Sequence, residues 1–112
     1  MKYALLIYSN DTEWDSLSDD EKGAIYGEYA AVSESPGIVG GQELQGADTA
    51  TTVRVQNGQA LTTDGPFAET KEALGGFFLL DAGNIDDAIA MAARIPAARR
   101  GGAIEVRPVV ER

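Results

Sequence analysis

The sequence predicts an α+β domain of ferredoxin-like, split βαβ design with a β-hairpin inserted in its middle. Three observations carry that reading. Short apolar runs alternate with two amphipathic helical segments, Asn57-Gly58 sits between two β-prone runs, and the order along the chain is strand, helix, strand, hairpin, strand, helix, strand. With 112 residues the chain suits a single domain spanning residues 1–112.

Lys2 to Tyr8 is a short apolar, aromatic run that stops at Ser9-Asn10-Asp11, as a buried first strand does. Ser18 followed three residues later by Glu21 forms a capping-box pattern, and Ile25, Tyr29 and Val32 recur on one helical face. This first helix is expected to end near Ser35, because Pro36 disfavours helical geometry in the residue before it. Ile38 to Leu44 reads as a second strand, with Gly40 and Gly41 marking a bulge or a close backbone approach.

Thr51 to Val55 and Gln59 to Thr63 flank Asn57-Gly58, the pair that supplies the positive φ angles of a two-residue type I′ hairpin. Leu74 to Asp81 is the most apolar strand and is placed at the sheet centre. Asn84 caps a second helix with Ile85, Ile89 and Ala92 on a shared face, closed by Pro96. In the last strand Ile104 and Val106 alternate with Glu105 and Arg107. Two helices cover one face of such a sheet, so the other face calls for a second copy packed face to face.

Composition narrows the function classes. The net charge of -9 repels phosphate backbones and anionic lipids, which argues against nucleic-acid and membrane partners. Met1 to Tyr8 is too short for a signal h-region, and a cytoplasmic location is expected. Cysteine and histidine are both absent, removing thiolate nucleophiles, the usual acid/base residue and the usual metal ligands. No metal or cofactor is therefore expected, and catalysis would fall to carboxylates, Lys, Tyr, Ser, Thr or Arg.

Thr63 to Gly76 concentrates turn residues and charges between two strands, where rigid scaffolds build sites. The run Asp64-Gly65-Pro66-Phe67-Ala68-Glu69-Thr70-Lys71-Glu72 followed by Leu74-Gly75-Gly76-Phe77 resembles the signature of the DGPF group of YCII-related proteins. Met1 to Tyr8, Ala50 to Arg54 and the Pro96 to Pro108 ending extend the likeness over the whole chain. The resemblance implies a dimeric α+β barrel of small bacterial proteins, often encoded beside extracytoplasmic-function sigma factors and without a settled activity. Some YCII-like proteins carry a histidine and aspartate pair suggested as an active site; this chain has no histidine, so that pair does not carry over.

Asp64 stands out as a general base should a dimer cleft bury it, with Pro66, Phe67, Glu69, Thr70 and Lys71 around a ligand. An equally available reading makes Asp64 a turn cap, Pro66 a φ lock and the Glu69 and Lys71 charges solvated. Phe67 is expected in the core. Arg99-Arg100 is able to fork onto a carboxylate or phosphate, although a solvated pair near a helix C-terminus, favourable by itself, is the preferred reading. Gly75-Gly76 lacks the lysine and helix of a phosphate loop, and Tyr3 and Tyr8 read as packing residues. Two functions follow. One is binding of a small polar molecule near Asp64 and the dimer interface, with metal-free acid/base chemistry as an extension; the other is a regulatory module contacting a sigma factor.

Overall fold

The computed structural model describes residues 1–10, 12–67 and 72–112. The predicted order is present: β1 (Lys2–Ser9), α1 (Asp19–Ser33), β2 (Ile38–Glu43), β3 (Thr51–Gln56), β4 (Gln59–Asp64), β5 (Ala73–Asp81), α2 (Ile85–Ala92) and β6 (Ala103–Pro108). This is a mixed α+β fold. Four strands form an antiparallel sheet ordered β2-β5-β1-β6, and β3 and β4 form a separate two-stranded sheet.

Local chemistry sets most of the boundaries. The Glu21 amide donates to Ser18 Oγ at 3.1 Å while the Ser18 amide donates to Glu21 Oε1 at 3.2 Å, so the capping box satisfies two groups that the start of α1 would leave open. Asn84 accepts from the Asp87 amide at 2.9 Å and starts α2. Asn57 (φ 51°) and Gly58 (φ 76°) both adopt the left-handed conformation that turns β3 into β4. The β2 register shifts between Ile38 and Gly40, the bulge expected near the glycine pair.

Strand alternation divides the four-stranded sheet into two unlike faces. Tyr3, Leu5 and Ile7 of β1 are buried beneath the helices with Val32 of α1, Leu80 of β5, Ala88 and Ala92 of α2, and Ile95. Ala4, Leu6 and Tyr8 point the other way, with Leu79 and Phe77 opposite Ala4 and Leu6, and these side chains are only half-buried. The helix layer therefore covers one side of an apolar sheet. Among the described residues no helix is long and apolar enough to cross a membrane.

Two expectations are corrected. Ile85 and Ile89 of α2 are exposed, and the buried positions are Ala88 and Ala92. Small alanines let α2 approach β1 and β6, which turns the isoleucine edge outward. Phe67 is 73% exposed and not a core residue; its ring is covered by the Arg54 guanidinium 4.7 Å from the ring centroid. The physical cause is the separation of the β3–β4 hairpin from the main sheet, which leaves no core at that point for an aromatic ring to enter.

Candidate functional site

A cavity of about 700 Å³ opens between α1 and the β2-β5-β1 part of the sheet, within the size range of small-molecule sites. Alpha-helical side chains Ile25, Tyr26, Tyr29 and Ser33 form its roof. Gly41, Gly76 and Phe78 contribute on the sheet side, Gln42, Glu43 and Leu44 along the β2 edge, and Trp14, Ala97 and Arg100 come from flanking segments.

Glycine placement explains why space remains there. Gly41 pairs with Phe78 and Gly76 with Ile7, so both fall at helix-facing positions of the sheet but carry no side chain to fill the gap. A Cβ on Gly76 would stand 2.8 Å from the Gln42 carbonyl oxygen, and one on Gly41 would stand 2.7 Å from the Phe77 carbonyl oxygen. The glycines thus allow β2 and β5 to pair closely and contribute no side chain to the floor beneath α1.

Aromatic and charged groups converge on this space. Trp14 and Tyr26 meet edge to face at 5.4 Å between ring centroids, and the Lys22 ammonium lies 5.8 Å from the Trp14 centroid. Burial pushes the Tyr29 phenol above its ordinary pKa, and the charge of Glu43 acts in the same direction; a backbone hydrogen bond at Ala97 and the charges of Arg100 and Arg99 pull it back. Tyr29 is therefore a protonated donor at neutral pH. Arg99 forms an ion pair with Glu28 of α1, and its neighbour Arg100 lines the cavity.

The Asp64 loop lies elsewhere. Asp64 ends β4 opposite Thr51, with its side chain exposed, and among the described residues no hydrogen bond reaches its carboxylate. Pro66 and Phe67 are exposed beside it. None of these three lines the cavity, and Glu69, Thr70 and Lys71 lie outside the described residues. Tyr3 is a packing residue whose hydroxyl donates to Met1 Sδ at 3.7 Å.

The YCII-related domain model matches residues 1–112. The chain belongs to the YCII-related family. It is also 34% identical over 114 residues to an uncharacterised protein of Rhizobium meliloti (strain 1021), covering 97% of this chain and 92% of that protein. Within this YCII-related chain the residues that reasoning from sequence passed over are Trp14, Tyr26 and Tyr29. Their signal was available in part, since Tyr29 shares the α1 face with Ile25 and Val32 and yet remains only half-buried. What the linear sequence does not show is that Arg100, some seventy residues on, faces the same space.

Proposed function

We propose that this protein works as a homodimer of the ferredoxin-like, dimeric α+β-barrel type and binds a small polar organic molecule in the cavity under α1. The cavity carries the proposal: an apolar, aromatic lining that also includes Tyr29, Glu43 and Arg100 has the composition of a small-molecule site. With the hairpin set aside, the strand order is the one expected of a split βαβ sheet.

Support for a second copy comes from two apolar surfaces that the single chain leaves open. One is the sheet face bearing Leu6, Phe77 and Leu79. The other is the hairpin, where Val53 and Val55 share a face and are 60% and 70% exposed. An isolated two-stranded hairpin is marginal in water, so a covering surface stabilises it. The radius of gyration is 15.9 Å, against about 13 Å for a compact chain of this length, which fits an arm extended for an intermolecular contact. In this reading the DGPF-type loop at the base of the arm lies at the interface. There Asp64 would act as a general base, with Pro66 and Phe67 beside it and Glu69, Thr70 and Lys71, which lie outside the described residues, as further candidates for ligand contact.

Thermal shifts against a metabolite library at neutral pH, run on the wild type and on Asp64→Asn and Tyr29→Phe, test the binding role. Stabilisation that Tyr29→Phe weakens supports the cavity, and turnover lost in Asp64→Asn with unchanged melting supports metal-free acid/base chemistry. Silence across the library shifts the function to a protein contact such as a sigma factor. Light scattering checks the dimer, with an expected mass of twice 11.8 kDa; a single-chain mass at micromolar concentration removes it.

A further inference from the structure

We propose that the cavity under α1 takes a ring-bearing carboxylic acid, its ring beside Trp14, Tyr26 and Phe78 and its carboxylate on the Arg100 guanidinium with a second hydrogen bond from the Tyr29 hydroxyl. This rests on the reading that the cavity is the ligand site and adds the class of ligand.

Aromatic residues are distributed unevenly in this chain. Of its one Trp, four Tyr and three Phe, four that line this cavity, Trp14, Tyr26, Tyr29 and Phe78, belong to α1, its flank or the helix-facing side of the sheet. Trp14 and Tyr26 already meet edge to face, and Tyr26 stays half exposed, so the pair presents an open aromatic surface at the mouth. A flat ring gains more from such a wall than an aliphatic chain does, because offset and edge-to-face contacts add to the apolar area removed from water.

The polar end selects the charge. Arg100 is the one basic residue among the described lining, in a chain with net charge -9 whose field otherwise repels anions. A guanidinium has five N–H donors in a fixed fork, so it is able to keep a contact within the protein and still grip a planar carboxylate. Tyr29 lines the same cavity as Arg100 and Glu43, and both charges act on its phenol, which makes its hydroxyl available as a second donor to the carboxylate. Glu43 sets the upper limit on ligand charge. Its carboxylate repels a dianion, which disfavours phosphate monoesters, and it is free to accept from a hydroxyl on the ligand.

Trp14 is the sole tryptophan and lines this cavity, so the chain's tryptophan fluorescence comes from its wall. The intact chain is titrated with phenylacetate, with its neutral isostere phenylacetamide, and with butyrate, which keeps the acid and removes the ring. Phenylacetate is expected to change Trp14 emission saturably and to bind at least roughly tenfold more tightly than phenylacetamide, the weight of one charge-assisted hydrogen bond, and roughly tenfold more tightly than butyrate, which lacks the ring's apolar area and its contacts with the aromatic wall. Arg100→Gln should erase the advantage of phenylacetate over phenylacetamide, and Tyr29→Phe, isosteric and expected to fold, should weaken the acid about threefold. Equal binding of acid and amide, or an unchanged acid preference in Arg100→Gln, overturns the ligand class while leaving the cavity as the site. A library compound that stabilises the protein without moving Trp14 emission overturns the cavity itself, and with it this proposal; so does the absence of any compound that moves it.

Discussion

The amide of Gly65 donates to the carbonyl of Ala50 at 2.7 Å, closing the base of the β3–β4 hairpin. The Thr52 hydroxyl adds a bond to the Gly65 carbonyl at 2.8 Å. Gly65 reaches both with φ at 103°, a conformation that L residues avoid, while a Cβ there would meet nothing within 4 Å. The cost of Gly65→Ala is therefore conformational and not steric, about 1–2 kcal/mol. Hydrogen exchange should show faster exchange of the amides of β3 and β4 with those of β1 and β5 unchanged. Uniform acceleration across all strands would show that the hairpin unfolds only with the whole chain.

Glycines at other positions answer to other constraints, and two alanine substitutions should have opposite signs. A Cβ on Gly102 would lie 2.3 Å from the Tyr8 carbonyl oxygen and 3.0 Å from that of Ala97, both backbone atoms with no rotamer to yield. Gly102→Ala should lower stability by about 1–3 kcal/mol. Gly23 lies inside α1 with nothing within 4 Å of its would-be Cβ, and Gly23→Ala should raise stability by about 0.5–1 kcal/mol through helix propensity. Urea midpoints of the two variants moving in the same direction would contradict this assignment.

Ser18→Ala removes the acceptor of the Glu21 amide and leaves only the other half of the capping box, the residue-18 amide donating to Glu21 Oε1. The expected loss is about 1 kcal/mol. Because α1 carries Ile25 and Tyr29 over the cavity, the same variant should also loosen ligand binding. Ser18→Asp, which restores an acceptor, should recover most of the stability; failure to do so would point to an effect other than the cap.

Tyr29 links stability to alkaline pH. Its pKa is raised in the folded chain, first by burial, so the folded state holds the phenolic proton more tightly than the unfolded state. The stabilisation is fully present below the unfolded tyrosine value of about 10, and it is lost as pH rises through the folded value. Tyr29→Phe has no proton to release. The difference in urea midpoint between wild type and Tyr29→Phe should stay constant between neutral and mildly alkaline pH and turn against the wild type above about pH 10. A flat difference through that range would mean that the phenol feels no burial.

The order of elements was legible in the sequence because each signal is local. Ser18 and Glu21 lie one turn apart, Asn57 and Gly58 are adjacent, and the alternation of Ile104 and Val106 with Glu105 and Arg107 spans four residues. The apolar run of β5 likewise marked it as an inner strand, and the structure sets it between β2 and β1. The side chains that line the cavity were not legible as a group, since a cavity is the volume left over when elements pack.

By itself, then, the sequence determined which segments are strands and helices, where they start, and that one sheet face lies outside the helix layer. Periodicity and capping depend on neighbours within one or two turns, so they survive reading along the chain. Only the tertiary structure decided that Ala88 joins Ala92 at the core while Ile85 and Ile89 turn outward, that Phe67 sits in the open under Arg54, and that Tyr29, Glu43 and Arg100 line the same cavity. Those outcomes turn on how closely α1 and α2 approach the sheet and on the two glycines that leave its floor bare. Distances between elements far apart in sequence are fixed by packing and not by any pattern within one of them.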